Sequence, residues 1–461
     1  MAIDREAVVW TRLGGMPRRM GRFVVTDREC RFTYDSDYLA AGLPGLGVLY
    51  PPALVRENTL VWQRTSSFDL FPQLQAHIPP ESEGGFQRRL ILRYLERQGI
   101  HPDPGFDTDW QILLIAGHGG IGHLDVFADD DTARRWYDAA RPAELFPIGE
   151  RIGFSLKEFL TWLDEGAEAI IEALGPTPSV GGAIPKLLLS IPDSGWDGRV
   201  GLPTRGPSPG RTDVVLKFEK ATYPGIAELE ALALDLHREA GFAVPRHWLA
   251  EVGGLPAIAV ERYDRDDRQA PIFTESWYAV MASGDRTVTS HYSSSYDAIG
   301  RAIDVSPVPL VSEPRESKAH LLRRLLLAFA TGNGDLHLEN LSLVQRGDWL
   351  GFSPVYDPTP MRAYRRHDLL AAMPFDGYGD FDEQGRPIGF ETALVNLAHN
   401  LGFRRPQLAD MIDEVLNVTA DLDERIAALR TLPEANREHL QRVTRDMRGR
   451  LQDMLGKTGK A

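Results

Sequence analysis

Three polar side chains in the last third of the chain have the types and spacing that phosphoryl transfer requires. Asn340 follows Asp335 by five positions, and Asp357 follows Asn340 by seventeen, behind the apolar run from Phe352 to Tyr356. In such a set the first carboxylate accepts the proton of an acceptor hydroxyl, while the amide and the second carboxylate bind Mg2+, a hard ion that prefers oxygen ligands. The same residue types are common in turns, where their side chains bond to nearby backbone. The pattern therefore predicts phosphate chemistry only if upstream partners are found.

One upstream partner is Lys217, within the segment DVVLKFEK, whose β-branched run predicts a strand. A charge inside a strand is costly unless it is paired, and in an ATP site such a lysine holds phosphates and pairs with a helical glutamate. The amphipathic helix that follows carries Glu228 and Glu230 in its first turns and ends at Gly241. The alternative is that Lys217 extends from an edge strand to solvent and that both glutamates only favour a helix N-terminus.

A second upstream feature is the glycine pair in SVGGAIPKLLLSIP, residues 179–192. Gly181 and Gly182 precede an apolar run, and the backbone of such a turn can approach phosphates closely. Glycine pairs in hairpins are more often plain turns, so this segment is informative only together with the others.

Composition limits the classes of protein that the chain can belong to. At 461 residues it exceeds one compact core, which predicts two or three structural units. Hydrophobic residues make up 43% and charged residues 25%, as in ordinary soluble proteins. A net charge of -14 argues against a broad nucleic-acid surface, so any DNA contact would need a partner or a local patch.

The single cysteine, Cys30, excludes an intramolecular disulfide, and the sequence contains no local Cys/His metal cluster. No apolar run reaches the roughly 18 residues that span a bilayer, and the first residues lack the apolar segment of a signal peptide. We therefore expect a cytoplasmic protein without a membrane partner.

Predicted elements follow a clear order along the chain. Residues 8–35 alternate like the strands of a small antiparallel sheet, whereas 85–98 and 155–174 have helical spacing, the latter with a capping box. The segment 256–265 is predicted as a strand. Helix is predicted again from about Lys318 and through most of 408–457. Strands and a lysine come first along the chain, and helices and acidic residues follow. This order predicts an α+β, two-lobed protein-kinase-like fold with a β-rich N-terminal part and a helical C-terminal lobe.

The chain contains, in this order, SVGGAIPK, VVLKF, an early helical glutamate, GFAVP, VERYDR, GNGDLHLEN and VYDPTP. Together these seven motifs resemble those of the HipA family of bacterial serine/threonine kinases, the toxins of toxin-antitoxin modules. The resemblance implies three segments: a HipA-type N-terminal module that is β-rich with helices (1–150), a kinase N-lobe region with a Gly-rich loop and an ATP lysine (151–262), and a helical C-lobe with catalytic and metal residues (263–461).

The resemblance also implies residue roles. Asp335 would be the catalytic base, and Asn340 and Asp357 the Mg2+ ligands. Lys217 would hold phosphates and pair with Glu230 rather than Glu228. Glu261 and Tyr263 would lie at the adenine edge, and His337 and Tyr356 would line the nucleotide pocket. The Gly-rich loop would contribute Ser179, Gly181, Gly182, Ala183 and Lys186, and Ser179 would be the site of autophosphorylation that displaces the loop and silences the enzyme.

The function implied is an ATP- and Mg2+-dependent serine/threonine protein kinase whose substrate is a translation component such as an aminoacyl-tRNA synthetase. A HipB-like antitoxin would be the partner and would supply any DNA contact, since no helix-turn-helix is visible. Two departures are Ile184, where many relatives carry a polar or basic residue, and the linker 290–314, which has no family role.

Two other functions remain open. Small-molecule phosphotransferases of the aminoglycoside- or lipid-kinase type use the same acids. A non-catalytic binding module is the other possibility, although such modules often lack one of the four groups that are present here, Lys217, Asp335, Asn340 and Asp357.

Overall fold

The computed structural model describes residues 4–81, 85–139, 144–148, 184–382 and 384–458. The predicted helix 155–174 and the loop residues Ser179, Gly181, Gly182 and Ala183 lie outside the described residues. The chain divides into two compact units, the first formed by Met1–Ala221 with Arg246–Glu275 and the second by Thr222–Pro245 with Ser276–Ala461. The three-segment division expected from the sequence stays a prediction.

The first unit begins with an antiparallel five-stranded sheet in the order β4-β3-β2-β1-β5. Its strands are β1 (Arg5–Thr11), β2 (Arg18–Val25), β3 (Glu29–Tyr34), β4 (Thr59–Gln63) and β5 (Asp125–Phe127). Alternate residues of β3 are buried, and Phe32 lies opposite the equally buried Phe23 of β2. Aromatic cross-strand pairs of this kind stabilise a sheet with one buried face. The small antiparallel sheet predicted over residues 8–35 is therefore confirmed.

A second sheet of the same unit has the order β10-β11-β9-β7, and two short strands, β6 and β8, pair beside it. The bounds are β6 (Phe146–Pro147), β7 (Lys186–Pro192), β8 (Arg199–Val200), β9 (Arg211–Phe218), β10 (His247–Val252) and β11 (Leu255–Glu261). One face of this sheet forms a hydrophobic core with apolar side chains that include Leu187, Leu216 and Ala259. The strand predicted around Lys217 is confirmed, and the strand predicted over residues 256–265 is present but ends at Glu261.

In the part of this unit that the structure describes, five helices accompany the sheets. They are α1 (Ser36–Ala40), α2 (Pro72–Gln75), α3 (Phe86–Arg97), α4 (Phe106–Ala116) and α5 (Asp130–Asp138). Helix α3 confirms the helix predicted at residues 85–98, and it buries Phe86 and Leu90 in the core of the second sheet. Spacing of four residues places both side chains on one face of the helix.

The second unit is mostly helical. Its helices are α6 (Ile226–Glu239), α7 (Trp277–Gly284), α8 (Tyr296–Val305), α9 (Pro314–Thr331), α10 (Phe390–Asn400), α11 (Arg405–Val418), α12 (Leu422–Ala427) and α13 (Glu434–Thr458). Strand β12 (Thr274–Ser276) includes the boundary between the units, and β13 (Ser342–Arg346) and β14 (Trp349–Phe352) form a hairpin. The predicted α+β class, with a strand-rich first part and a helical later part, is confirmed.

Helix α9 and the three last helices correspond to the segments predicted as helical from Lys318 and over 408–457. Among the helices that the structure describes, none combines the length and the apolar character needed to cross a bilayer.

Candidate active site

The loop that carries Asp335 starts where α9 ends. Gly332 ends the helix in the left-handed region with φ 80°, and its N–H donates to the Ala328 carbonyl. Glycine adopts this conformation without the strain that a Cβ causes. Two residues later, a Cβ on Gly334 would lie 2.2 Å from the carbonyl oxygen of Leu369, a distance that no side chain can occupy. Both glycines are needed to bring the chain to Asp335.

Backbone and side-chain hydrogen bonds fix Asp335 in place. Its N–H donates to Oδ1 of Asn333 over 2.9 Å, and its carbonyl accepts from Nδ2 of Asn340 over 2.7 Å and from the N–H of His337 over 2.9 Å. Asn333 is buried, whereas the Asp335 side chain is 40% exposed. The carboxylate is thus held on a rigid loop and remains accessible to a substrate, as a general base must be.

Two ring side chains approach the Asp335 carboxylate. The Tyr292 hydroxyl donates to Oδ1 over 3.2 Å, and Nε2 of His337 lies 3.9 Å from Oδ2. Burial, together with the charge and hydrogen bonding of Asp335, raises the pKa of Tyr292, so its hydroxyl keeps the proton that it donates. The two carboxylate oxygens of Asp335 therefore face different neighbours.

Asn340 ends the 3-10 helix Leu338–Asn340 and is buried. Because its Nδ2 is used by the Asp335 carbonyl, Oδ1 is the atom that can serve as a metal ligand. Tyr356 stabilises the same turn, since its hydroxyl donates to the Glu339 carbonyl over 2.5 Å and lies 2.7 Å from Oγ of Ser342. Asn340 and Tyr356 thus belong to one hydrogen-bonded group with the Asp335 loop.

Asp357 lies in an irregular segment after β14. Strand β14 ends at Phe352, so Asp357 does not follow directly on a strand. The intervening Pro354 cannot donate to a ladder, and the N–H of Val355 donates instead to the Ala243 carbonyl over 2.8 Å. Asp357 has φ 49°, in the left-handed region. A non-glycine residue in this region is uncommon and is often found at functional sites.

In the first unit, two predicted phosphate-binding lysines are neighbours. Lys186 of β7 and Lys217 of β9 lie directly opposite each other in the antiparallel register, and both are buried. They share the sheet face opposite the one that carries Leu187 and Leu216, because side chains alternate along a strand. Like charges opposite each other in a sheet repel, and negative charge nearby lowers the cost of burying two ammonium groups. This arrangement suits negatively charged phosphates.

The remaining predicted residues of the first unit are Glu261 and Tyr263. Arg246 donates to both carboxylate oxygens of Glu261 over 3.0 Å, so the Glu261 side chain takes part in an ion pair on the sheet edge. The N–H of Glu261 donates to the Arg246 carbonyl. Tyr263 is half-buried just beyond the end of β11. Their role at an adenine edge stays a prediction.

The two glutamates of α6 have different surroundings within the second unit. Glu228 accepts from the backbone N–H groups of Arg430 and Thr431, each over 2.8 Å, and so fixes a loop. Glu230 is buried. This difference supports Glu230 as the family-matching position, and its pairing with Lys217 of the first unit stays a prediction.

The residues that sequence reasoning missed lie between α7 and α8. Tyr292 contacts Asp335, and the carbonyl of His291 accepts from the N–H of Leu338 over 3.2 Å. Both belong to the linker 290–314, for which no role was expected. The only signal in the sequence is the pair of ring residues His291 and Tyr292 among serines.

The described geometry defines an α+β protein with a rigid, accessible carboxylate on a helical unit and paired lysines on a sheet. A family model, the HipA-like C-terminal domain, matches residues 178–422, and the chain belongs to this family.

Curated relatives include the Haemophilus influenzae protein named "Putative kinase", 27% identical over 233 residues, or 48% of this chain and 62% of that protein. The Sinorhizobium fredii "Putative kinase Y4mE" is 26% identical over 367 residues, 74% of this chain and 79% of that protein. This chain therefore spans less than two thirds of the length of the Haemophilus relative.

Among solved structures, a chain in the Shewanella oneidensis MR-1 toxin-antitoxin complex of HipA, HipB and operator DNA matches with a TM-score of 0.60 at 19% identity. The match covers 95% of this chain and 96% of that chain, and it shows a shared fold.

Proposed function

We propose that this protein is a HipA-type serine/threonine kinase that transfers the γ-phosphate of ATP to a protein hydroxyl. The observation that carries the proposal is Asp335, which is fixed through its backbone by Asn333 and Asn340 while its carboxylate stays accessible. In this role Asp335 accepts the hydroxyl proton of the acceptor as the phosphoryl group is transferred.

In this proposal Lys186 and Lys217 bind the phosphates of the nucleotide. Their buried side chains lie opposite each other in the sheet, and nucleotide phosphates would place further negative charge beside these two cations. The oxygen atoms of Asn340 and Asp357 fit a hard cation, and Mg2+ bound there would neutralise charge on the phosphates. Asp357 has a left-handed backbone conformation of a kind that recurs at functional sites, which supports its assignment to this site.

We further propose a HipB-like antitoxin as partner, through which any DNA contact would run, because the fold match is to a chain from a complex of that composition. The proposed substrate is a translation component such as an aminoacyl-tRNA synthetase, and this part rests on the family resemblance alone. The proposed location is the reducing cytoplasm, with which the free and buried thiol of Cys30 is consistent.

Autophosphorylation of Ser179 is the regulatory part of the proposal. A phosphate on this serine adds about -1.5 to -2 charges and would repel bound triphosphate, which would displace the loop. Mass spectrometry after incubation with ATP should find phosphate on Ser179 in wild type but not in Asp335→Asn, with activity falling as it accumulates. An unmodified Ser179 in a fully active enzyme would exclude this regulation.

The decisive experiment incubates the protein with labelled ATP, Mg2+ and a bacterial lysate. We expect a labelled protein band with wild type and none with Asp357→Ala, in which Mg2+-dependent nucleotide binding should be lost. Label found only in a small molecule would favour a metabolite kinase. Absence of transfer with wild type, despite retention of a lysate protein, would favour a binding module.

A further inference from the structure

Three side chains beside Asp335 have the composition of a transition-metal site. His291, His337 and Glu339 each offer one ligand atom, and these atoms lie within 4.8 Å of one another. Two imidazoles and one glutamate form a ligand set known from zinc enzymes, in which three protein ligands leave the fourth coordination position open. We propose that these three residues bind a transition-metal ion such as Zn2+, separately from the Mg2+ ligands proposed above.

The distances are close to those that the ion requires. Ligand atoms about 2.0–2.2 Å from a tetrahedral Zn2+ lie about 3.3 Å from each other. Nδ1 of His291 and Oε2 of Glu339 are already 3.3 Å apart. The ligand atom of His337 reaches the other two with side-chain movements of about 1–2 Å, since all three lie within 4.8 Å.

The backbone brings the two contributing segments together before any ion binds. The N–H of Leu338 donates to the His291 carbonyl, which ties the linker after α7 to the catalytic loop. The imidazoles of His291 and His337 lie 4.3 Å apart between ring centres. A largely preformed site binds an ion with less loss of conformational entropy than one assembled from free loops.

A carboxylate also lies near the second ring nitrogen of His337. Its Nδ1 accepts from the N–H of Glu339 over 3.2 Å, so in the neutral ring the proton is on Nε2, which faces Oδ2 of Asp335. Metal-bound histidines usually donate their second nitrogen to a carboxylate, which fixes the tautomer, and a movement of about 1 Å would bring Nε2 within hydrogen-bonding distance of Oδ2. With the ion on Nδ1, the weak backbone bond is replaced by the metal and Asp335 becomes the outer partner of His337.

Selectivity follows from the donor atoms. Imidazole nitrogen suits Zn2+, Ni2+ and Cu2+, whereas Mg2+ prefers oxygen and keeps several waters. The His291 and Glu339 side chains are 32% and 39% exposed, so an ion can enter from solvent. Excess Mg2+ should therefore not displace Zn2+ from this site.

The consequence for activity rests on the proposed function. A cation held by His337 attracts the Asp335 carboxylate and weakens it as an acceptor of the substrate proton. Zn2+ should therefore inhibit phosphoryl transfer even when Mg2+ and ATP are saturating.

Binding is tested with Zn2+ alone, by calorimetry on metal-free protein in excess Mg2+ without nucleotide. We expect one Zn2+ per chain at this site in wild type and an affinity lower by about 100-fold or more in His291→Ala, because even loss of an outer partner costs about 10–100-fold. Glu339→Gln should also weaken binding. His399→Ala, which removes an exposed histidine of α10, is the matched control and should bind like wild type.

Co2+ provides a second measurement, since its visible absorption reports tetrahedral coordination and should disappear in His291→Ala. The proposal is overturned if wild type and His291→Ala bind Zn2+ equally, or if His399→Ala loses as much affinity as His291→Ala.

The activity arm separates the two proposals. Each protein is compared with its own rate in chelator-treated buffer, and Zn2+ should inhibit wild type and His399→Ala but not His291→Ala. If Zn2+ binds at this site but none of the three proteins transfers phosphate, the proposed kinase function is contradicted and the proposed metal site is supported. Transfer that Zn2+ inhibits equally in His291→Ala and wild type would overturn the regulatory role.

Discussion

Two groups of charged side chains, one in each unit, show opposite uses of ionisable residues. In the first unit the buried charge cluster consists of Asp213, Arg262, Asp264 and Arg265, all less than one tenth exposed. In the second unit the Asp335 cluster consists of His291, Tyr292, Asp335, His337 and Glu339, in which the Asp335 side chain is 40% exposed. Both contain acids with close neighbours, but only one leaves an acid within reach of a substrate.

The side chains of the buried charge cluster stabilise the fold. Asp264 accepts from Nε and Nη2 of Arg262 over 2.9 and 2.7 Å, and from the N–H of Gly122 over 2.8 Å. Burial alone would raise the pKa of Asp264, but attraction to Arg262 and Arg265 and these hydrogen bonds lower it to about 2. A carboxylate buried among these partners is out of reach of a substrate.

The Asp335 cluster is held differently. Its backbone is fixed by buried groups such as Asn333, while the carboxylate itself meets one hydroxyl and one imidazole. In Asp335 the backbone is held and the side chain is accessible, whereas in Asp264 the side chain itself is held by buried donors. We expect the first arrangement for a functional acid and the second for a structural one.

The largest effect is expected for Asp335→Asn. If Asp335 accepts the substrate proton, the amide should reduce kcat by about 10²–10⁴-fold, the usual contribution of general base catalysis. ATP binding and the melting temperature should stay near wild type, because the backbone hydrogen bonds of the loop are unchanged. Turnover close to wild type would show that Asp335 is not the catalytic base. The contrast between an accessible functional acid and a buried structural acid would then fail.

Asp264→Asn should have the opposite profile. It keeps an acceptor for the Gly122 N–H but leaves Arg262 and Arg265 with the more distant charge of Asp213, which should cost about 3–5 kcal/mol of unfolding free energy. Any activity measured on the remaining folded protein should be near normal. A catalytic defect without loss of stability would show that the buried cluster is more than a structural element.

The pH dependence of stability gives a second check on Asp264. Its folded pKa of about 2 lies below its ordinary value of 3.8, so its contribution is present above that ordinary value and is lost as pH falls towards 2. The stability difference between wild type and Asp264→Asn should therefore shrink by about 2 kcal/mol between pH 5 and pH 2. A constant difference would contradict this assignment.

The sequence predicts the parts of the site that lie within one stretch of chain. Asp335 and Asn340 are separated by a short, fixed turn, so their spacing already determines that they meet. Lys217 stands in an otherwise apolar strand and is visible as an anomaly, and its neighbour Lys186 follows the glycine pair of the motif. Period-two and helical patterns likewise predict the sheets and helices that carry these residues.

Partners brought together by folding could not be predicted in this way. Tyr292 and Asp335 come from segments separated by α8 and α9, and nothing in the spacing of either segment points to the other. His291, His337 and Glu339 form a cluster for the same reason, although the sequence shows no local Cys/His pattern. The buried charge cluster was missed as well, because Asp264 and Arg262 look like surface residues of a turn until burial is known.

The smallest expected effect concerns Tyr292, which sharpens the comparison because its hydroxyl donates to the accessible carboxylate of Asp335. Tyr292→Phe removes this hydrogen bond while keeping the ring against His291 and His337 at 4.2 and 5.1 Å. Since a typical hydrogen bond contributes about 0.5–1.5 kcal/mol, kcat should fall by about 2- to 10-fold as the carboxylate loses its orientation.

The KM for ATP and the melting temperature should not change in Tyr292→Phe, because the ring is 46% exposed and only a surface hydroxyl is lost. Tyr378→Phe, at a comparably exposed tyrosine of the same unit, is the control and should leave kcat unaltered. Steady-state kinetics on the three proteins would separate positioning from structural support: a fall in kcat alone assigns Tyr292 to orienting Asp335, whereas equal kinetics would mean that the backbone of the loop is sufficient to orient the base.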